Sequence, residues 1–128
     1  MKDNEVKAKS MAFAKRIVFA CQYLREQKQE YVLSKQLLRS ATSVGANIAE
    51  AQYGSSRRDF LNKQYIALKE CAETKYWLEL LSECGYLTNA EHQSLLLDCE
   101  ELLKILSSIT KTTKETIERT GAGNQEHS

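Results

Sequence analysis

The chain contains two histidines, four cysteines and no proline, so the chemistry open to it is limited. A carboxylate-bridged metal pair inside a helical bundle needs inward glutamates and a Glu-x-x-His spacing on each of two helices. Here His92 follows Asn89 and His127 follows Asn124 at that spacing, so both histidines lack the carboxylate partner. His92 reads as a polar first-turn residue. Cys21, Cys71, Cys84 and Cys99 form no Cys-x-x-Cys pair and fall within apolar stretches, the pattern of reduced, buried thiols rather than of a metal or redox centre. No phosphate-binding loop and no Gly-x-Ser-x-Gly elbow occurs, and nothing nominates a nucleophile or a general base. The expectation is a non-enzyme with no catalytic residue, no metal and no cofactor.

Basic residues offer a different chemistry. Lys7, Lys9, Lys15 and Arg16 lie in the first apolar-periodic segment, and Arg57, Arg58 and Lys63 cluster where a later one begins. The overall charge is only +1, but residues 1–69 carry 13 Lys or Arg against 6 Asp or Glu, whereas residues 70–128 carry 5 against 11. That is +7 followed by −6. If the two basic groups share one end of a folded helical domain, they form a surface able to contact the phosphates of structured RNA. The alternatives are ordinary solubilising charge and a protein-interaction scaffold that never touches nucleic acid.

Helices must position these residues. Apolar side chains recur at three and four: Phe13, Ile17, Cys21 and Leu24; Leu37, Ala41, Val44 and Ile48; Leu61, Tyr65, Leu68 and Ala72; Leu95, Cys99, Leu102, Leu106 and Ile109. Such spacing is helical, and no alternating pattern competes with it. Ser56-Arg-Arg-Asp59 and Thr88-Asn-Ala-Glu91 each place a hydroxyl three residues before a carboxylate, a helix-start signature. The spacing predicts helices over about 5–28, 33–53, 56–84 and 89–116, with the least distinct break near Arg25 to Glu30. Short connections between sequential helices favour an all-α, antiparallel up-down-up-down four-helix bundle. It should form a single domain over 1–118 followed by a flexible tail over 119–128. At 42% hydrophobic and 27% charged residues the composition is that of an ordinary globular protein. No stretch is long and apolar enough to cross a membrane, and no apolar signal core follows the first charges. A cytoplasmic protein is therefore expected.

Two of the four helices carry more apolar or small surface than one core face uses. Ten uncharged residues, mostly small, separate Arg39 from Glu50. At about 100° per residue, Arg39, Ser43, Ala46 and Glu50 line the face opposite Leu37, Ala41, Val44 and Ile48, with Asn47 beside them. Arg39 and Glu50 lie a rise of roughly 16 Å apart, too far to pair along one helix, so each needs a partner elsewhere. On the third helix Ile66, Trp77 and Leu81 project away from Phe60, Leu61, Leu68, Cys71 and Leu78, with Glu70 and Glu73 among them. A seam of this kind predicts a subunit contact.

The run Leu38-Arg-Ser-Ala-Thr-Ser-Val-Gly-Ala-Asn-Ile-Ala-Glu50, followed by Ser56-Arg-Arg-Asp-Phe-Leu61 and Ile66-Ala-Leu-Lys-Glu-Cys-Ala-Glu-Thr-Lys-Tyr-Trp-Leu-Glu-Leu-Leu81, resembles the bacterial four-helix-bundle proteins encoded in intervening sequences of 23S ribosomal RNA. The Gly85-Tyr-Leu87 turn is similar too. Gly45 departs from the pattern, because the family often has proline before the Ala-Asn-Ile-Ala-Glu motif; glycine softens the expected kink but keeps a weak point in the helix. The resemblance implies a homo-oligomeric ring, typically of five subunits, without known catalytic activity. It also implies a kinship to accessory proteins of retroelements that bind RNA and a reverse transcriptase. Its characteristic positions fall on Arg39, Asn47, Glu50, Ser56 and Phe60.

Overall fold

The computed structural model of the protein describes residues 2–121. It consists of four helices: α1 (Lys2–Gln27), α2 (Leu33–Ala51), α3 (Arg57–Glu83) and α4 (Asn89–Thr120), with no strand among the described residues. α1 begins three residues before its expected start and α4 runs four residues beyond its expected end. Gly121 then closes α4 in the left-handed region at φ 69°, its N–H bonded to the Ile117 carbonyl. The predicted tail over 119–128 is therefore helical at its start, and residues 122–128 lie outside the described residues.

Helix starts follow the local chemistry. Thr88 forms the full reciprocal cap with Glu91. Ser56 accepts a hydrogen bond from the Asp59 N–H, but the Asp59 carboxylate is engaged by the Ser55 hydroxyl instead of returning to the cap. The connection before α3 turns tightly at Gly54, where a Cβ would come within 3.1 Å of the Phe60 nitrogen. The start of α2 is capped from a distance. Val32 itself provides no side-chain cap; the buried Glu30 carboxylate accepts from the N–H groups of Val32, Leu33 and Ser34 at 3.1, 2.9 and 2.7 Å. Gln29 takes a positive φ of 55° to bring it there. Three amides that a helix start leaves without partners are thus satisfied by one side chain.

α1 packs on α2, α2 on α3, α3 on α4, and α4 closes on α1. α1 lies across the core from α3, as does α2 from α4, with no close backbone approach between either pair among the described residues. The core takes Phe13, Ile17, Cys21 and Leu24 from α1, and Leu37, Ala41, Val44 and Ile48 from α2. α4 contributes Leu95, Cys99, Leu102, Leu106 and Ile109. These are the stripes that the periodicity picked out. In α3 the buried face is Phe60, Leu61, Gln64, Ala67, Cys71, Thr74, Leu78 and Leu81, whereas Ala72 is exposed and Tyr65 and Leu68 are half-buried. Two core positions on this helix are polar, and they hide the true stripe from a search for apolar residues. Gln64 is fully buried, and neither amide atom has a hydrogen-bond partner among the described residues.

Gly45 lies within an uninterrupted α2. A Cβ there would meet only Ser10, at 3.6 Å, an ordinary contact. Glycine inside a helix costs roughly 0.5–1 kcal/mol relative to alanine. Gly45→Ala should therefore raise unfolding stability by about that amount in urea denaturation; an unchanged or lowered midpoint would mean that the glycine has a packing role that this spacing does not reveal.

Candidate functional site

The seven predicted cations divide into two groups. Lys9 sits between Glu5 at 3.2 Å and Glu101 at 2.9 Å, and hydrogen bonds to these carboxylates, Glu101 first, raise its pKa above the ordinary lysine value. Arg16 reaches Asp98 at 2.6 Å and the Ser94 hydroxyl at 2.7 Å, tying α1 to α4. Lys63 pairs with Glu50 at 2.8 Å. These three spend their charge on neighbouring helices. Lys7, Lys15, Arg57 and Arg58 are exposed, and the Arg57 guanidinium lies 4.5 Å from the centroid of the Phe60 ring, a cation–π contact. Exposed Lys111 and Lys114 on α4 went unnoticed in the sequence because the second half of the chain is acidic on balance.

The α2–α3 edge is where Arg39 and Glu50 find their partners, and both lie within the same chain. Arg39 is 3.3 Å from the Glu70 carboxylate and bonds Glu73 with its other terminal nitrogen. Glu73 also accepts from the Trp77 indole N–H at 2.8 Å. The Ser43 hydroxyl lies 3.3 Å from Glu70, and Asn47 donates to the Ser43 carbonyl at 2.9 Å and to its hydroxyl at 3.0 Å. Arg39, Ser43 and Asn47 thus form one polar network with Glu70, Glu73 and Trp77. Ala46 and Glu50 are exposed beside it.

Of the expected seam on α3, Ile66 is 42% exposed and Trp77 is half-buried, edge-on to the exposed Tyr76 with ring centroids 5.1 Å apart. Leu81 corrects the sequence reading: it is fully buried within the core, one helical turn beyond Leu78 on the same face, and is unavailable to any partner. A further exposed apolar stripe lies on α1. Met11, Val18 and Phe19 are 60%, 44% and 68% exposed, and Ala8 and Ala12 lie exposed in the same row. The signal was present in the sequence as Ala8, Met11, Ala12, Val18 and Phe19, which recur at helical spacing off the core face and around Lys15. Phe19 also borders a cleft of about 570 Å³ between α1 and α4, with Tyr23, Leu87 and Leu95.

The thiols divide three to one. Cys21 is buried and pushed up to about 11 by that burial, with its Sγ bonded to the Ser34 carbonyl at 3.2 Å. Cys71 and Cys99 are fully buried with sulfurs 3.9 Å apart, and the hydrogen bond with Cys99, reinforced by burial, raises the pKa of Cys71. Cys84, expected to be buried, is exposed because it caps the end of α3, where the chain turns away from the core. His92 is half-buried in the first turn of α4, and its Nε2 has no partner among the described residues. No group of His, Cys, Asp or Glu among the described residues is arranged to hold a metal ion, and none of the described helices is long and apolar enough to cross a membrane.

These features define an all-α domain of four helices with ion-paired edges and one unpartnered apolar helix face. Residues 2–108 match the 23S rRNA-intervening sequence protein family, and the chain belongs to that family. It is similar to the crystal structure of a protein of unknown function from the S23 ribosomal protein family of Bacteroides thetaiotaomicron, at 53% identity and a TM-score of 0.86. The likeness covers 87% of this chain and 99% of that one. No functionally curated protein matches.

Thiolate rather than thiol attacks disulfide reagents, so burial should protect Cys21, Cys71 and Cys99, and a raised pKa adds to that protection at Cys21 and Cys71. One of the four thiols, that of Cys84, should react rapidly with Ellman's reagent under native conditions, and Cys84→Ser should remove the fast phase. Fast reaction of two or more thiols in the native protein would contradict this burial pattern.

Proposed function

We propose that the protein is an antiparallel up-down-up-down bundle that acts in the cytoplasm as a non-catalytic homo-oligomeric module. The antiparallel arrangement is supported by the order of cross-helix partners. Arg39 meets Glu70 and Glu73 while the later Glu50 meets the earlier Lys63. Lys9 meets Glu101 while the later Arg16 meets Ser94 and Asp98. Cys21 meets Ser34, whereas Ser10 lies beside Gly45. In each pair the numbers run in opposite directions along the two helices.

Assembly rests above all on the exposure of Met11, Val18, Phe19 and Ile66, large apolar side chains that subunit contacts remove from water. A ring of five copies, as the family resemblance implies, would cover such surfaces without leaving an open end. Binding of structured RNA is a second reading, favoured by the positions of Lys7, Arg57, Arg58, Lys111 and Lys114. In an antiparallel bundle the start of α1, the start of α3 and the end of α4 lie at one end, and these exposed cations gather there. The ion pairs of Lys9, Arg16 and Lys63 make this surface less basic than the sequence implies, so assembly is the primary proposal.

Light scattering should give a wild-type mass several times the 14.6 kDa of one chain, and Ile66→Asp should shift it to smaller species. A monomeric wild type would end the assembly reading. For RNA, anisotropy of a labelled structured RNA should show binding that weakens steeply with salt, and Arg57→Glu with Arg58→Glu should remove about two counterions from that slope. Binding unaltered by the double reversal would exclude this end as the RNA site.

A further inference from the structure

Cys71 in α3 and Cys99 in α4 are both fully buried, and their sulfurs lie 3.9 Å apart. Each sulfur also lies 3.5 Å from the backbone carbonyl oxygen of the other residue. The contact is therefore reciprocal: each side chain reaches the backbone of the other helix, and nothing larger than a thiol separates α3 from α4 at this level. It is the one contact between two sulfurs among the described residues. Cys21 is bonded instead to the Ser34 carbonyl, and Cys84 is exposed at the end of α3.

A buried cysteine fills space as a small hydrophobe, and alanine or valine would do so without being open to oxidation. Two thiols in contact add a chemistry that neither has alone. The sulfurs of a disulfide lie about 2.0 Å apart, so closure asks these two to approach by about 1.9 Å, a shift of the size that rotation about the two Cα–Cβ bonds produces. We infer that Cys71 and Cys99 are an oxidisable pair, which a hydroperoxide converts to a disulfide that clamps α4 to α3.

Burial selects both the reagent and the product. It favours a small, uncharged oxidant such as hydrogen peroxide over a bulky anionic one such as Ellman's reagent. The thiolate of one cysteine attacks a peroxide oxygen; the O–O bond breaks, the sulfur becomes a sulfenic acid, and the departing hydroxide takes up the thiol proton as water. The other sulfur then attacks the sulfenic sulfur, the S–O bond breaks, and the hydroxide leaves with the second thiol proton as a second water. Two thiols and one peroxide thus give one disulfide and two waters, with two electrons passed from the sulfurs to the peroxide. A sulfenic acid at this place has a thiol in contact with it and is screened from solvent thiols and from further peroxide, so closure outruns its alternatives. The hydrogen bond with Cys99 and burial raise the Cys71 pKa, which keeps thiolate scarce and the first step slow. The two residues are 28 apart in the chain, so the bond closes a loop around the Gly85 turn and the Thr88 cap and removes the freedom of α3 and α4 to separate.

The test uses folded Cys84→Ser protein, in which the exposed thiol cannot link two copies. After hydrogen peroxide at neutral pH, free thiols are blocked in denaturant and the chain is digested with trypsin. The expected product is peptide 70–75 joined to peptide 76–104, two hydrogen atoms lighter than its separate parts and split again by dithiothreitol. Oxidation should also raise the urea midpoint by about 1 M, reversibly with dithiothreitol. Cys99→Ala in the same background, checked for helicity by circular dichroism, should show neither the link nor the reversible shift; Cys71→Ala serves if that variant unfolds. Cys71 and Cys99 left as free thiols, or carried on to sulfinic acid without a link, would overturn the pair. A linked chain with a lowered midpoint would overturn the clamp, because the bond would then form at the expense of native packing.

Discussion

The hydroxyls of Ser40 and Thr74 meet at 2.9 Å with both residues fully buried between α2 and α3, and the close approach of these two helices that the contact requires sets the rest of their shared edge. Each hydroxyl also donates toward a carbonyl of its own helix, Ser40 to Leu37 at 3.2 Å and Thr74 to Glu70 at 2.8 Å, so the single Thr74 proton is shared between Ser40 and Glu70. A buried hydroxyl deprived of its partner costs about 1–3 kcal/mol, whereas the made bond contributes only about 1. Because each hydroxyl keeps its own helix's carbonyl as an acceptor in any register, that penalty is largely avoided and the pair adds a modest preference for this register. Small residues on α2 make the approach possible, and the register then carries Arg39 to Glu70 and Glu73, and Glu50 to Lys63. Each of these exposed ion pairs contributes little to stability by itself. Their consequence lies elsewhere: they consume the charges of the α2–α3 edge and leave it nearly neutral, which a protein interface tolerates and a phosphate-binding surface does not favour.

Much of this was legible in the sequence because the forces involved are local. Three core stripes, the Thr88 capping box and the Ser56 cap follow from spacing alone. α3 was misread where polar residues occupy core positions: Gln64 and Thr74 interrupt the apolar pattern, so Leu81 was assigned to the surface when it belongs to the core. The break after α1 was indistinct because its cap is Glu30, which lies outside the usual position and reaches three amides through an unusual backbone turn at Gln29. No local rule foresees that arrangement.

The surface was harder to read than the core. Whether a lysine is available to a ligand depends on which carboxylate the fold places beside it, and Lys9 and Glu101 are 92 residues apart. Spacing nominated seven cations as a group, and the fold commits Lys9, Arg16 and Lys63, among others, to carboxylates on neighbouring helices. The reverse omission concerns α1. Its core face, Phe13, Ile17, Cys21 and Leu24, accounted for its apolar residues well enough that the second stripe through Met11 and Phe19 went unremarked. The exposed apolar excess beyond one core face thus includes α1 and is not confined to the second and third helices.

The central proposal is that this domain works by burying apolar surface against copies of itself. Sedimentation velocity of the wild-type protein at about 0.1 M and 1 M salt tests it most directly, since ionic contacts between exposed groups are screened over this range while apolar contacts persist. The account predicts one multi-subunit species with the same sedimentation coefficient at both salt concentrations. Dissociation to a single chain at high salt would show that charge holds the assembly together, and a single chain at both would show that there is no assembly.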